Sequence, residues 1–242
     1  MYTFPSRVRY SEIDSESKLT IAALLDFFQD CSSFHSEDIG LGIAYLKEQN
    51  LGWVLNSWQI EIDRYPDFGE VVTVGTFPYH FKAFLGYRNF FLQDQEKRML
   101  AKANSIWTLM DLEKMTPVRP PQKMVDGYVL FDRLEMEYLD RKIIIPPEME
   151  PEFVYESILV KAHHIDTNHH VNNGQYVRMA LEYLPKEEKV VRLRAEYKKS
   201  AMLHDTIIPK MFCNGDKRVV SLCSESDEVY ANVEFKTVAR RE

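Results

Sequence analysis

The chain has 242 residues, room for one large domain or two of ordinary size. Hydrophobic residues make up 45% and aromatic residues 12%, enough to fill a core, which excludes a disordered chain. A formal net charge of -7 excludes a general nucleic-acid binder, and it requires any acidic partner to find a local basic patch.

The first residues, Met1-Tyr2-Thr3-Phe4-Pro5-Ser6-Arg7, contain neither a basic segment followed by an apolar one nor an Arg/Ser-rich leader. No apolar run is long enough to span a bilayer, so no membrane association is expected. The three cysteines, Cys31, Cys213 and Cys223, are odd in number and lack metal-ligand spacing, which fits a reducing cytoplasm.

A short segment, Val8–Ser15, precedes the first helical pattern. In Thr20–Asp30, residues Ile21, Leu24, Leu25 and Phe28 recur at helical spacing and Phe27 widens the apolar face, with Thr20 as N-cap and Gly40 and Gly42 well beyond the helix end. Strands are expected near Val54–Ile62, Val71–Pro78, Phe84–Gln93 and Ala101–Asp111. Six of the eleven prolines then fall in Glu113–Phe153, which reads as a linker crossing the surface.

The second half begins with Val160–Thr167. A second helix is expected over Asn172–Leu184, with Tyr176, Val177, Ala180, Leu181 and Leu184 on one face, Asn172 or Asn173 as cap and Pro185 as stop. Strands follow near Val190–Lys198, Thr206–Cys213, Arg218–Ser224 and Tyr230–Val238. Asn214-Gly215 is a hairpin signal between two of them.

The two halves are one unit written twice. Val8–Ser15 lies on Val160–Thr167, with Asp14 on Asp166, and the same 152-residue offset puts Leu19 on Val171. Strand, apolar helix and a run of antiparallel strands form a helix wrapped by a curved sheet, so the expected class is α+β. The expected domains are 1–112, a linker over 113–153, and 154–242.

Specific motifs carry a resemblance. Ile60-Glu61-Ile62-Asp63-Arg64-Tyr65-Pro66-Asp67-Phe68-Gly69-Glu70-Val71-Val72 resembles the first-domain strand and turn of the plant plastid and bacterial acyl-acyl carrier protein thioesterases. Ala103–Asp111 resembles the last strand of that domain, and Asp166-Thr167-Asn168-His169-His170-Val171-Asn172-Asn173 resembles the active-site segment. The motifs occur in the family's order over nearly the whole chain. The resemblance implies a double hot-dog fold, two tandem domains, and hydrolysis of fatty acyl thioesters on acyl carrier protein without a cofactor. Without the plant enzymes' N-terminal extension, the chain looks like the bacterial, cytoplasmic form.

Thioester hydrolysis needs an attacking group, a cradle for the oxyanion and a leaving thiol that requires little protonation. His170 is the candidate general base, because imidazole titrates near working pH. In an extended segment, Asp166, Asn168 and His170 would line one face. By resemblance, Asn168 and His170 activate or position water, and Asp166 orients them. Asn172 and Asn173 open the helix, whose free N–H groups favour the developing negative charge. In the first half, Glu16 and Lys18 stand where Asn168 and His170 stand in the second, so the first copy is expected to be non-catalytic and to help build the acyl pocket. Glu196-Tyr197-Lys198-Lys199-Ser200-Ala201 departs from the family's Glu-Tyr-basic-basic-Glu-Cys pattern: Ser200 replaces a carboxylate, leaving it to hold water, and Ala201 removes a Cys-His mechanism. Adjacent histidines His163, His164, His169 and His170 raise a metal site as the lesser reading.

The first half supplies Leu24, Phe27, Phe28, Trp53, Trp58, Phe84 and Trp107 for core and pocket, with Trp53 and Trp107 the candidates for acyl contact. Arg192, Arg194 and Lys198 share a strand face and are a candidate docking patch for acidic acyl carrier protein. The oligomer is expected to be a monomer or homodimer. Two alternatives stand beside acyl carrier protein thioester hydrolysis: an acyl-CoA thioesterase of the same fold and a non-enzymatic acyl-binding protein.

Overall fold

The structure is a computed structural model and describes residues 1–239. The chain divides into two compact units, Met1–Asn56 with Ile60–Tyr138, and Ser57–Gln59 with Leu139 onward. Among the described residues no helix is long and apolar enough to cross a membrane.

The first unit runs β1 (Tyr2–Arg7), a 3-10 turn (Tyr10–Glu12), α1 (Ile21–Asp38), α2 (Ile43–Glu48), β2 (Leu51–Ile62), β3 (Val71–Lys82), β4 (Leu85–Gln93), β5 (Met99–Asp111), β6 (Thr116–Pro117) and α3 (Gln122–Gly127). Its strands lie in the order β1-β3-β4-β5-β2, with β6 beside β5. Thr20 caps α1 as expected, its Oγ1 accepting the Ala23 N–H at 3.1 Å. Leu24, Leu25, Phe27, Phe28 and Cys31 are all buried, and Phe28 meets Phe90 of β4 with ring centroids 5.4 Å apart. At roughly 2 kcal/mol for each fully buried large side chain, this one helix face contributes much of the unit's cohesion.

The helix is longer than its apolar pattern. It continues through Ser32, Ser33 and Ser36, whose hydroxyls donate back to carbonyls of the preceding turn, Ser32 Oγ to Gln29 O at 2.9 Å and Ser36 Oγ to Ser32 O at 2.9 Å. Those bonds let a serine-rich stretch remain helical, so Gly40 stands two residues beyond the end rather than far past it.

The second unit runs β7 (Phe153–Val154), β8 (Ile158–Leu159), a 3-10 turn (Ala162–His164), α4 (Asn173–Leu181), β9 (Glu188–Tyr197), β10 (Thr206–Asn214), β11 (Lys217–Cys223) and β12 (Val229–Ala239). Its order, β7-β10-β11-β12-β9, repeats that of the first unit strand for strand. The core faces Tyr176, Val177 and Ala180 of α4 and Val220, Leu222, Val233 and Phe235 of the sheet are all buried. Asn214 pairs with Lys217, so the hairpin turn is Gly215-Asp216, with glycine taking the positive φ of 59°. The helix ends at Leu181, before Pro185.

The proline-rich stretch is more than a tether. It contains β6 and α3, and Met124 and Tyr128 are buried in a cluster with Leu41, Leu51 and Leu109. Prolines bound these short elements, and the apolar residues between them join the first unit's core.

Candidate active site

The segment holding Asp166, Asn168 and His170 is a closed turn and not an extended strand. Asp166 N–H donates to His170 O at 2.8 Å, His169 N–H donates to Asp166 O at 3.1 Å, and an Ile165–Val171 bridge closes the base. His169 sits at φ 63°, in the left-handed region. The Asp166 carboxylate works inside this turn, Oδ1 accepting the N–H of Asn168 at 2.8 Å and, more weakly, that of His170 at 3.4 Å. The face alternation expected for a strand therefore does not apply. Among the described residues the side chains of Asp166, Asn168 and His170 share no hydrogen bond. Asn168 is exposed, and Asp166 and His170 are half-buried.

The first copy builds the same turn. Asp14 N–H donates to Lys18 O at 2.9 Å, Ser17 N–H to Asp14 O at 3.0 Å, and Asp14 Oδ1 accepts Glu16 N–H at 2.9 Å and Lys18 N–H at 3.0 Å. Ser17 takes φ 61°, and an Ile13–Leu19 bridge closes the base. Each turn is also held from outside by backbone bonds, Leu19 N–H to Pro66 O at 2.9 Å and Phe68 N–H to Ser17 O at 2.8 Å in the first copy, and Val171 N–H to Ala201 O at 2.9 Å in the second.

Those bonds explain the two motifs found beside the turns. In the first copy, Arg64-Tyr65-Pro66-Asp67-Phe68-Gly69-Glu70 forms the holding loop. Arg64 grips Glu70 with two nitrogens at 2.8 and 2.5 Å, and Lys18 reaches Asp67 at 2.6 Å. In the second, Ser200-Ala201 is the holding loop. Ala201 N–H donates to the buried Tyr176 hydroxyl of α4 at 2.7 Å, and burial pushes that hydroxyl up to about 12. Ser200 is exposed next to a loop thus pinned both to α4 and to the His170–Asn172 segment. Ala201 is fully buried, so no side-chain chemistry is available there.

Asn172 is the cap of α4, its Oδ1 accepting Gly174 N–H at 2.8 Å, and Asn173 is the first helical residue. Gln175 N–H donates to Asn172 O at 2.9 Å, and Asn173 O accepts the Tyr197 hydroxyl at 3.0 Å. Among the described residues nothing accepts the Asn173 N–H, which leaves one main-chain donor at the helix start. His164 Nδ1 accepts Lys161 N–H at 3.0 Å. No group of three potential metal ligands occurs among the described residues.

Trp53 and Trp107 line a cavity of about 150 Å³ contained within the first unit, together with Ile43, Leu46, Phe81, Gly86, Arg88 and Tyr128. Trp53 stacks on Phe81 with centroids 6.3 Å apart and lies over Gly86, where a Cβ would meet the indole at 3.1 Å. Trp107 donates its Nε1–H to Ser105 Oγ at 2.6 Å. Leu24, Phe27, Phe28 and Trp58 are core, and Phe84 is 40% exposed in the turn just before β4.

Of the candidate docking residues, Arg194 is turned inward. Arg194 is buried to 11% exposure, pairs with Glu234 at 2.9 Å and donates to Asp140 O and Lys142 O at 2.5 and 2.9 Å. Lys198 lies 3.8 Å from Glu196, and Lys199 pairs with Glu228 at 2.5 Å. Arg194 is a clamp inside its unit, while Lys198 and Lys199 stay exposed beside Glu196 and Glu228.

Two side chains to which the sequence gave no site role shape these sites. Tyr176 anchors the holding loop of the second copy, and Arg88 is a buried cation on the cavity wall. A charged residue in the apolar run Leu85–Leu92 was the signal for the latter.

Each unit, a central helix packed against an antiparallel sheet of matching strand order, is a hot-dog fold, and the chain is a double hot-dog. It belongs to the acyl-ACP thioesterase family: residues 1–128 match the Acyl-ACP thioesterase N-terminal domain and residues 148–225 the Acyl-ACP thioesterase C-terminal domain. It is 24% identical over 234 residues to the chloroplastic palmitoyl-acyl carrier protein thioesterase of Gossypium hirsutum, covering 91% of this chain and 54% of that protein. The chain thus spans about half the length of the plant relatives it matches. Among solved structures it resembles an acyl-ACP thioesterase from Bacteroides thetaiotaomicron (TM-score 0.86, 24% identity, 98% of this chain and 97% of that one). It also resembles the 12:0-ACP thioesterase from Umbellularia californica (TM-score 0.85, 16% identity, 98% of each chain).

Proposed function

We propose that the chain hydrolyses fatty acyl thioesters carried on acyl carrier protein, with the chemistry on the second copy's turn. The supporting observation is that the two copies share one backbone turn and differ in what it displays. The first presents Glu16 and Lys18; the second presents Asn168 and His170 at the corresponding positions.

In this reading His170 takes a proton from water as the water attacks the thioester carbon. Asn168 positions the water, and the Asn173 N–H at the start of α4 meets the oxygen as it becomes anionic. Asp166 acts one step back as a positioning residue, since its carboxylate shapes the turn that presents the other two. Ser200, exposed on the pinned loop, is a further hydrogen-bonding group for water. The leaving thiolate needs no strong acid. The apolar cavity of the first unit, with Trp53 and Trp107 on its wall, suits an acyl tail. The partner is the acidic acyl carrier protein, and the compartment is the cytoplasm.

The test is thiol release from acyl-acyl carrier protein and from the matching acyl-CoA by the purified chain. Turnover of the carrier-bound ester, reduced at least about a hundredfold in His170→Ala, supports the reading. Turnover restricted to the CoA ester moves the partner, and full activity in His170→Ala removes the mechanism.

A further inference from the structure

The loops that hold the two turns match bond for bond along the backbone. In the first copy Val8 N–H donates to Glu70 O at 2.9 Å, Gly69 N–H to Val8 O at 2.9 Å and Glu70 N–H to Asp67 O at 3.1 Å. In the second, Val160 N–H donates to Asp205 O at 2.9 Å, His204 N–H to Val160 O at 3.1 Å and Asp205 N–H to Met202 O at 3.1 Å. Gly69 at φ 78° matches His204 at φ 74°. Both loops also close on a carboxylate, Glu70 Oε2 accepting Asp67 N–H at 3.0 Å and Asp205 Oδ2 accepting Met202 N–H at 2.8 Å. With Leu19 on Pro66 and Val171 on Ala201, this register lays residues 66–70 on residues 201–205.

The side chains fix the two loops differently. Pro66, which has no N–H, stands where Ala201 stands. Leu24, which has no acceptor, stands where Tyr176 stands, at the same distance past the helix caps Thr20 and Asn172. The first copy thus lacks both halves of the 2.7 Å bond from Ala201 N–H to the Tyr176 hydroxyl, and it still builds the loop. The fold of the loop does not need that bond. The first copy instead ties its loop straight to the turn, by Phe68 N–H to Ser17 O at 2.8 Å and by Lys18 to Asp67 at 2.6 Å. Among the described residues no bond joins the corresponding pairs of the second copy, Leu203 to His169 and Met202 to His170. The second loop is anchored from the helix side, by a hydroxyl at 2% exposure, and His170 is left untied. The anchor is itself fixed, because the Tyr197 hydroxyl donates to Asn173 O at 3.0 Å at the start of the same helix.

We propose that Tyr176 is a positioning residue for the reaction on the second turn. Its hydroxyl holds the Ala201 N–H, and Ala201 O holds the N–H of Val171, the residue after His170. That chain of bonds sets the loop carrying Ser200 against His170 without occupying the imidazole. The inference rests on the hydrolytic reading and names the group that replaces the first copy's ties. In that reading the acyl tail lies in the first unit, so loss of the anchor acts on kcat and leaves KM nearly unchanged.

The experiment follows thiol release from an acyl-acyl carrier protein by the full chain and by Tyr176→Phe, at a temperature where thermal unfolding shows both folded. Misplacing a reacting group by about 1 Å costs up to a hundredfold, so kcat is expected to fall at least about fivefold, with KM within about threefold. Adding Ala201→Pro to Tyr176→Phe writes the first copy's solution onto the second and removes the stranded N–H. This double variant is expected to regain most of the lost unfolding midpoint and to keep the low kcat, because the first copy's other ties are still missing. If the double variant does not fold, amide exchange in Tyr176→Phe decides, with faster exchange at residues 200–203 and an unchanged α4 expected. A smaller fall in kcat, or a loss carried by KM, overturns the proposal. So does a kcat that Ala201→Pro restores together with the midpoint, which marks a purely structural bond, or unchanged exchange at residues 200–203. An unaltered chain that releases no thiol fails the hydrolytic reading and takes the proposal with it. Activity lost in His170→Ala and kept in Tyr176→Phe fails the proposal alone.

Discussion

Exchanging the displayed residues between the two turns gives a test in which fold and chemistry separate. The variant is Asn168→Glu with His170→Lys, which writes the first copy's residues onto the second copy's turn. Every bond that closes the turn at these two positions comes from backbone atoms: Asn168 N–H and His170 N–H to Asp166 Oδ1, and Asp166 N–H to His170 O. The first copy makes the same bonds with Glu16 and Lys18 in place, at 2.9 to 3.0 Å. Neither new side chain enters a core, since Asn168 is exposed and His170 half-buried. The stability change is therefore expected to stay within about 0.5 kcal/mol, the range for surface substitutions. Activity behaves otherwise. Loss of a general base typically costs on the order of 10²–10⁴ in rate, about 3 to 5.5 kcal/mol of barrier. Lysine, protonated at neutral pH, cannot accept the proton. Thermal unfolding and thiol release from an acyl-acyl carrier protein read the two quantities on one sample. An unfolding midpoint held within a degree or two with turnover down at least a hundredfold is the expected pair. Turnover above a tenth of the original refutes the assignment of chemistry to this turn.

Asp166→Ala removes the acceptor of two backbone N–H groups and should lower stability by about 1 kcal/mol, with Asp166→Asn retaining more of it; urea midpoints for the two variants decide this. Arg194→Leu should cost about 3–5 kcal/mol, because it strands Glu234 at 9% exposure and leaves two carbonyls without a donor; adding Glu234→Leu should recover part of the loss, and a double variant worse than the single contradicts the clamp. His35 is held down to about 4 in the folded chain against 6.5 for the free side chain. The unfolded chain therefore binds the extra proton first, and stability should fall as pH drops from about 6.5 to 4. His35→Gln should flatten that part of the urea-midpoint profile, and a profile unchanged by the substitution rejects it.

Much of the architecture was legible because it depends on features that sequence states directly. The recurrence at 152 residues reappears as matched 3-10 turns, matched caps at Thr20 and Asn172, and matched strand order. What the sequence hid was mostly non-periodic. The reading of Asp166, Asn168 and His170 as one face assumed extended backbone, whereas an aspartate with a left-handed residue three positions later closes a turn. Ser17 and His169 carry no glycine signal for that conformation. Arg194 looked like a surface cation because its partners, Glu234, Asp140 and Lys142, lie at least 40 residues away along the chain. The serines of α1 concealed eight further helical residues, since their back-bonding to carbonyls is invisible to hydrophobic periodicity.

The duplication also separates what the fold requires from what chemistry requires. Both copies keep an aspartate whose carboxylate ties the turn, a residue at positive φ, a capped helix start and a backbone bond from the first residue after the turn to a neighbouring loop. Because all of these recur where no histidine is present, they are explained by folding alone and are no evidence for catalysis. Asn168 and His170 are the residues that folding leaves unexplained, for Glu16 and Lys18 satisfy the same turn. The same comparison applies to the holding loops. The first is stiffened by the Arg64–Glu70 fork; the second uses the Tyr176 hydroxyl on Ala201 and exposes Ser200. A rigid loop built without that charged pair leaves the second turn free of the nearby Lys18–Asp67 type of ion pair, which occupies the displayed position in the first copy at 2.6 Å. An imidazole held on such a turn keeps its nitrogens for water and substrate, and that difference between the copies is what the proposed mechanism uses.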